Sequence, residues 1–185
     1  MSDLISRGGP LMYPLLLCSV VSLAVTVERI IFWWREVRRR DEPGVQRLLS
    51  HADSGRDPAG TDLLGENPGY VARVLHKGLD ERDHGLRESM EAAAQEELSR
   101  MKRGLGVLHT IVALAPLLGI LGTVLGIIDS FDMLGSSGIE DPRAVTGGIA
   151  QALVTTAAGL SVAIVTVIPY EYFKSRVNKA AERMS

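Results

Sequence analysis

The side chains of greatest chemical interest lie in stretches that carry no charge. Thr123 stands in an uncharged run of 24 residues, and Thr156 stands in an uncharged run of 27 residues. Gln151 and Thr155 lie four residues apart on the second run. Hydroxyl and amide groups donate and accept hydrogen bonds but do not ionise near neutral pH. Two hypotheses follow: these residues line a polar path between helices, or they only hold the helices together.

Small residues accompany the polar ones at the spacing of helix turns. They are Gly119, Gly122 and Gly126 on the first run and Ala152, Gly159 and Ala163 on the second. Small residues on one side of a helix let two backbones approach closely in lipid, so we predict that these positions are helix-packing faces. Pro116 lacks an amide hydrogen, and we expect it to kink the first of the two helices.

Acid–base chemistry has two candidates, Asp129 and Asp132, which lie three residues apart just after the first run. Such a pair would suit a membrane-embedded hydrolase, in which alanine at both positions would abolish activity. The same spacing beside a turn rich in Gly and Ser is more typical of a solvated helix end, which we favour. Within the uncharged runs only His109 titrates near neutral pH. If protons cross here, their carboxylate carrier must therefore belong to a partner.

Both runs are long enough to cross a bilayer. As helices they are roughly 36 and 40 Å long, against about 30 Å of hydrocarbon. A third apolar stretch begins at Leu11, passes Glu28-Arg29 and ends at the Trp33-Trp34 pair, which is typical of a membrane interface. The sequence therefore predicts an all-α membrane protein with transmembrane helices at 11–34, 105–133 and 144–172.

The distribution of arginine predicts the orientation of these helices. Four arginines follow the first span, at positions 35, 38, 39 and 40, whereas one precedes it, at position 7. Basic residues favour the cytoplasmic side, so the N-terminus should lie outside and the C-terminus inside. We accordingly predict periplasmic segments at 1–10 and 134–143, a cytoplasmic insert at 35–104 and a cytoplasmic tail at 173–185.

The insert is expected to be helical. Strong helix formers dominate from Leu86 onward, which predicts one unbroken helix from Leu86 to Phe131, projecting into the cytoplasm. Another helix should begin at Tyr70, after the start signal Asn67-Pro68-Gly69, and Val45–Leu49 has helical periodicity.

The loop between the second and third spans is expected to be short. Gly135-Ser136-Ser137-Gly138 predicts a turn, and Glu140 or Asp141 can cap the next helix, with Pro142 in its first turn.

Composition excludes several classes of function. A formal net charge of −2 provides no basic field of the kind that nucleic-acid binding requires. Cys18 is the only cysteine and the four histidines show no ligand spacing, so we expect neither a metal site nor a cofactor. The N-terminus lacks the basic region and cleavage site of a secretory signal, which predicts that the first apolar segment is retained.

Two motifs in order resemble the MotA/TolQ/ExbB proton-channel family, and the ExbB and TolQ branch in particular. The first runs from His109 to Ile128 and contains Leu-Gly-Thr-Val-Leu-Gly; the second begins at Gly148 and contains Thr-Ala-Ala-Gly-Leu. The resemblance covers residues 105–173 closely. It implies a non-enzymatic, three-span subunit that forms a pentamer in the bacterial inner membrane and encloses a dimer of single-span partners.

The resemblance also implies a mechanism. The partner would be similar to ExbD or TolR, with a transmembrane Asp that carries protons, and Thr123 and Thr156 match the positions that line the path. The complex would use the proton motive force to move a TonB- or TolA-like protein, and so energise outer-membrane uptake or envelope maintenance. A motility stator subunit is the alternative within the family, although that branch usually carries a fourth span. A purely structural membrane scaffold is the alternative outside it.

The sequence departs from the family pattern at three places. Gln151 stands where ExbB and TolQ commonly carry Glu, and an amide hydrogen-bonds but cannot titrate. The usual Ala-Ile-Pro reads Ala163-Ile164-Val165, with a proline displaced to Pro169. The usual Tyr-Asn reads Tyr170-Glu171, so the inner mouth differs in its polar groups.

Overall fold

The computed structural model describes residues 9–39, 45–46, 68–80, 85–137 and 142–184. Helices dominate these residues, and strands are absent from them. The helices are α1 (Met12–Arg38), α2 (Tyr70–Asp80), α3 (Leu86–Lys102), α4 (Leu105–Ser137) and α5 (Pro142–Met184). The predicted helix start at Tyr70 is confirmed, while most of Val45–Leu49 lies outside the described residues.

Within the described residues, three helices are long and apolar enough to cross a membrane: Met12–Arg38, Leu105–Gly135 and Thr146–Met184. Large apolar side chains such as Leu17, Ile120 and Val165 remain more than half exposed on them. Hydrocarbon tails cover such surface without cost, because they are as apolar as the side chains. The predicted all-α architecture with three long apolar helices is therefore confirmed, and its orientation remains a prediction.

The prediction of one unbroken helix from Leu86 to Phe131 is wrong. Helix α3 ends at Lys102, and α4 begins at Leu105. Gly104 between them has a φ of +78°, a left-handed conformation that glycine adopts without a steric penalty and that commonly ends a helix. This glycine follows basic residues in the last turn of α3, which is a stop signal that the helix-forming composition concealed.

A buried arginine of α1 caps the end of α3. Arg29 is 2% exposed, and its Nη1 lies 3.4 Å from the carbonyl oxygens of both Arg100 and Met101. The last carbonyls of a helix have no donor within that helix. Arg29 supplies this donor where α3 ends. An ion pair with Glu28 balances its charge locally.

Helix α4 also continues beyond its expected end. The predicted turn is wrong for Gly135, Ser136 and Ser137, which are helical, and the remainder of that turn lies outside the described residues. Extending an existing helix by one turn forms hydrogen bonds that offset the low propensity of Gly and Ser. Helix α5 begins at Pro142, as predicted, while Glu140 and Asp141 lie outside the described residues.

The chain forms two compact units. The first contains Met1–Val27 and Leu105–Glu171, and the second contains Glu28–Gly104 and Tyr172–Ser185. In the first unit α1, α4 and α5 share an apolar core of Met12, Leu15, Cys18, Ile111, Ala115 and Ala163. In the second unit α2 packs against α3, and Gly78 meets Met90 where any larger residue would collide.

Candidate functional site

The hydroxyl groups of Thr123 on α4 and Thr156 on α5 are hydrogen-bonded to each other, with 2.8 Å between their Oγ1 atoms. Thr156 Oγ1 also lies 2.8 Å from the carbonyl oxygen of Gly119. Thr123 Oγ1 lies 2.9 Å from the carbonyl oxygen of Ile120 and 3.3 Å from that of Gly119. The structure therefore brings together Thr123 and Thr156, the two threonines that match the family motifs.

The two hydroxyl protons of this pair have two possible arrangements over the same oxygen atoms. In one, Thr123 donates to Thr156, which donates to the carbonyl of Gly119. In the other, Thr156 donates to Thr123, which donates to the carbonyl of Ile120. A hydroxyl rotates to donate in either direction, so the pair can reverse its hydrogen bonds without moving a heavy atom. Such reversal is what a hydroxyl relay needs after each proton has passed.

Thr155 faces α4 differently from its neighbour. It is 1% exposed, and its Oγ1 donates to the carbonyl oxygen of Gln151 in its own helix, at 3.1 Å. Its methyl group points towards Gly122, where an added Cβ would lie 2.5 Å from Thr155 Cγ2. The side-chain amide of Gln151 lies against Gly9, just before α1. Thr155 thus presents its methyl group rather than its hydroxyl to Gly122.

Helices α4 and α5 approach each other closely along their small residues. An added Cβ at Gly126 would lie 2.8 Å from Ala152 Cβ, and one at Gly119 would lie 3.1 Å from Thr156 Cα. Distances this short leave no room for a larger side chain without movement of a helix. Small residues at these positions therefore allow the hydroxyl pair to form, because they set the separation of the two backbones.

Two other residues of the predicted set, Ala163 and Pro116, have no described contact with the hydroxyl pair. Ala163 is 8% exposed and belongs to the apolar core that includes α1. Pro116 lies inside α4, and the helix continues through it. The kink at Pro116 remains a prediction.

Replacement of Gly159 by alanine is expected to destabilise the protein. An added Cβ would lie 2.5 Å from the carbonyl oxygen of Ala115, which is backbone and cannot turn away. The overpacking should cost about 1–3 kcal/mol, more than the roughly 0.5–1 kcal/mol that alanine gains over glycine within a helix. The measurement is the midpoint of thermal unfolding in detergent. Gly147→Ala is the control on the same helix, since nothing lies within 4 Å of its added Cβ, and an unchanged midpoint for Gly159→Ala would contradict the close approach.

Sequence analysis missed two buried hydroxyl groups of the same unit. Ser130 is 1% exposed, donates to the carbonyl of Gly126 at 2.7 Å and fills the space beside Gly148. Its signal was the spacing of four residues from Gly126, which extends the packing face of α4. Ser22 on α1 lies 2.9 Å, oxygen to oxygen, from Thr166 on α5, and both are buried. These contacts tie all three helices of the unit together through hydroxyl groups.

The acidic residues and the histidine that the structure describes in this unit are exposed and lie at least six residues from the hydroxyl pair in sequence. Asp129 and Asp132 both have exposed side chains, and the ring of His109 lies 5.4 Å from that of Tyr170. Groups of three or more His, Cys, Asp or Glu that could hold a metal are absent from the described residues. The paired threonines therefore offer hydrogen bonds but no group that ionises near neutral pH.

An all-α chain with three membrane-length apolar helices, two of them joined by paired hydroxyl groups, is a multi-pass membrane protein. Comparison with protein families then identifies the family: residues 67–185 match the model of the MotA/TolQ/ExbB proton channel family. The chain belongs to this family, and the resemblance found from its two motifs is confirmed.

Individual relatives of this chain are named as ExbB or ExbB-like proteins. The putative biopolymer transport protein ExbB-like 1 of Synechocystis is 39% identical over 178 residues, covering 91% of this chain and 68% of the relative. The biopolymer transport protein exbB1 of Vibrio cholerae is 30% identical over 167 residues, covering 86% and 72%. A putative ExbB homolog of Methanothermobacter thermautotrophicus is 28% identical over 186 residues, covering 98% and 66%. The chain thus spans about two thirds or more of these relatives.

Proposed function

We propose that this protein is the channel-forming subunit of an inner-membrane motor that is driven by the proton motive force. It forms a ring of five copies around single-span partners similar to ExbD or TolR. The motor acts through a TonB- or TolA-like protein on outer-membrane uptake or envelope maintenance. The observation that carries the proposal is the hydroxyl pair of Thr123 and Thr156 in a chain of the proton channel family.

The partner is needed because this chain offers no proton carrier at the candidate site. A hydroxyl relay passes a proton only when an acid delivers it and a base removes it, and neither threonine ionises near neutral pH. A carboxylate on the transmembrane helix of the partner supplies that group. Gln151, which stands where related chains commonly carry Glu, contributes hydrogen bonds but no titrating group.

The energy comes from the membrane potential and is turned into movement by binding. Each proton that crosses the field releases about 2.3 kcal/mol per 100 mV. Protonated and deprotonated partner carboxylates would hydrogen-bond differently to the hydroxyl pair, and only such a difference in contacts can shift a partner between two positions. In this scheme the chain provides the surface on which the partner moves.

Proton flux through reconstituted vesicles is expected to require both proteins. The chain is placed in proteoliposomes with a single-span protein of the same genome that carries one Asp in its transmembrane helix. A potassium diffusion potential then drives protons inward, and a pH-sensitive dye inside the vesicles reports their arrival. We expect flux with the pair and only background leak with the chain alone.

The matched control changes only the carrier. Replacement of the partner's transmembrane Asp by Asn keeps its shape and removes its ability to titrate, so flux should fall to the background level. Equal flux with the Asn variant, or from the chain by itself, would contradict the proposed division of roles.

A structural scaffold is the second candidate, and one observation favours it. The described contacts already satisfy the hydroxyl groups of Thr123 and Thr156 within this chain. Interhelical hydrogen bonds of this kind stabilise membrane helices by about 0.6–2 kcal/mol with no transport at all. Conservative substitution of Thr156 separates the two functions, because scaffold and relay differ in whether the hydroxyl itself is required.

A further inference from the structure

The second compact unit contains a cavity whose lining is strongly basic. Its volume is about 220 Å³, and its charged lining residues are Arg39, Arg176, Lys179, Arg183 and Glu36. Four cationic side chains face one carboxylate, and Glu36 is already paired with Arg39 at 3.4 Å and with Arg73 at 3.0 Å. The cavity therefore has a surplus of positive charge. Anions are the ligands that such a surplus attracts.

A residue of the cavity wall carries a buried donor that has no acceptor among the described residues. Trp33 lines the cavity and is 6% exposed, and its indole Nε1 lacks a hydrogen-bond partner among the described residues. A buried indole N–H normally finds an acceptor, because leaving it unpaired costs free energy. The indole nitrogen donates only, so a partner for it must be a hydrogen-bond acceptor. This requirement is independent of the basic charge and points to the same kind of ligand.

Several of the surrounding groups are already held in place. Arg176 lies over the ring of Trp33, with its guanidinium carbon 5.9 Å from the ring centroid, and its Nε donates to the hydroxyl of Tyr172 at 3.2 Å. Arg183 donates to the hydroxyl of Tyr70 at 3.4 Å. Two arginines are thus oriented by aromatic residues around the cavity, which lowers the entropy cost of ordering them on a ligand.

We propose that this cavity binds the phosphate group of an anionic membrane lipid. Phosphate oxygens accept hydrogen bonds from guanidinium, ammonium and indole donors at once, which the lining provides. The cavity is smaller than the roughly 300–1,000 Å³ of pockets that enclose drug-sized molecules, so it suits one headgroup phosphate rather than a nucleotide. The site is separate from the hydroxyl pair and does not depend on proton conduction.

A lipid is favoured over soluble phosphate by the position of the cavity along the chain. Trp33 and the exposed Trp34 end the first predicted transmembrane segment, and tryptophan pairs of this kind lie at the level of lipid headgroups. Basic residues directly beyond a membrane span attract anionic lipids, with about 1 kcal/mol for each Lys or Arg near the surface. A headgroup phosphate in the adjacent leaflet is therefore present at far higher local concentration than a phosphate in solution.

The sequence offers a reporter for this site, because Trp33 and Trp34 are its only tryptophans. The full-length Trp34→Phe variant, purified in detergent, leaves Trp33 as the sole source of indole fluorescence. It is titrated with short-chain phosphatidylglycerol, with short-chain phosphatidylcholine and with inorganic phosphate. We expect a saturable change of Trp33 fluorescence with phosphatidylglycerol at concentrations at least tenfold lower than with either of the other two.

Matched variants in the same background test the lining. Lys179→Gln should weaken phosphatidylglycerol binding about fivefold, the loss of one cationic contact at a headgroup. Lys174→Gln removes the same charge from an exposed residue of the same helix that does not line the cavity, and it should bind as tightly as the parent. Size-exclusion chromatography and helical circular dichroism confirm that each variant is folded.

A second measurement does not rely on fluorescence. Native mass spectrometry of the wild-type protein should retain bound phosphatidylglycerol, and Trp33→Phe, which keeps an aromatic ring but lacks the N–H donor, should retain less. Equal response to phosphatidylglycerol and phosphatidylcholine, or equal loss in Lys179→Gln and Lys174→Gln, would overturn the proposal. A response to inorganic phosphate as strong as that to the lipid would overturn the assignment to a lipid.

Discussion

Thr156→Val is expected to abolish partner-dependent proton flux while the protein still assembles. Valine has nearly the shape of threonine but no hydroxyl, so the hydrogen bonds to Thr123 and to the carbonyl of Gly119 disappear. Their loss should cost about 0.6–2 kcal/mol, too little to separate helices that pack closely along several turns. Flux is measured in proteoliposomes with the single-span partner, and assembly is measured by size-exclusion chromatography.

Three companion variants make this result specific. Thr156→Ser keeps the hydroxyl and loses only a methyl group, so it should conduct, whereas Thr123→Val should fail as Thr156→Val does. Thr110→Val is the same exchange at an exposed residue of α4 whose Oγ1 donates to the carbonyl of Gly106 in its own helix, and it should conduct normally. Normal flux through an assembled Thr156→Val complex would leave the scaffold as the better explanation of the hydroxyl pair.

A second large effect is expected in the unit that contains α2 and α3. Arg73 on α2 donates to both carboxylate oxygens of Glu97 on α3, at 2.8 Å each, and to Glu36 on α1 at 3.0 Å. Its Nη1 also donates to the carbonyl of Pro68 at 2.8 Å. The side chains of Arg73, Glu97 and Glu36 are only 17%, 14% and 4% exposed. Burial lowers the pKa of Arg73, but hydrogen bonds and attraction from Glu97 and Glu36 outweigh it and hold the pKa above its usual value.

Arg73→Ala is expected to destabilise this unit by about 3 kcal/mol, the lower end of the range for removing one partner of a buried ion pair. The cause is mainly the two carboxylates that remain, since they repel each other and are shielded from water. Arg73→Lys should recover only part of the loss, because an ammonium group cannot donate to two oxygens of Glu97 in the planar geometry of arginine. The measurement is the thermal unfolding midpoint followed by circular dichroism.

Two controls separate this explanation from general damage. Arg87→Ala removes an arginine that pairs with Glu91 at 2.9 Å on an exposed helix surface, where the side chains are 91% and 66% exposed. Such a surface pair contributes at most about 1 kcal/mol, and usually less. Combining Arg73→Met with Glu36→Gln and Glu97→Gln removes the charges of all three residues, and it should be more stable than Arg73→Ala alone. If the combined variant were the less stable, the two carboxylates left without Arg73 would not be the cause.

Some features of this protein are properties of short stretches, and these could be predicted from the sequence. Whether a helix can cross a bilayer depends on its length and on the absence of charge, both of which are local, so the three apolar helices were predicted. The two motifs around Thr123 and Thr156 were likewise sufficient for the family, which the matched residues 67–185 confirm. The start of α2 at Tyr70 followed from the signal directly before it.

Helix ends were predicted less well, because two local signals compete there. The strong helix formers after Leu86 concealed the left-handed Gly104, which ends α3 with the help of Arg29 from another helix. The reverse occurred from Gly135 to Ser137. These residue types are typical of turns, but here they are helical because they continue a long helix. In both cases the outcome depended on neighbouring structure more than on the propensity of the residues concerned.

The sequence by itself determined that this is an all-α chain of three apolar helices, with paired small and hydroxyl residues on two of them. Only the tertiary structure decided which hydroxyl of Thr155 and Thr156 meets Thr123. Successive residues differ by about 100° around a helix, so a modest rotation of α5 would exchange the two. That rotation is set by where Gly122 admits the methyl group of Thr155 and where Gly159 admits the backbone of α4. These contacts depend on the surfaces of two helices that are far apart in sequence. The residue pattern of one helix therefore cannot predict them.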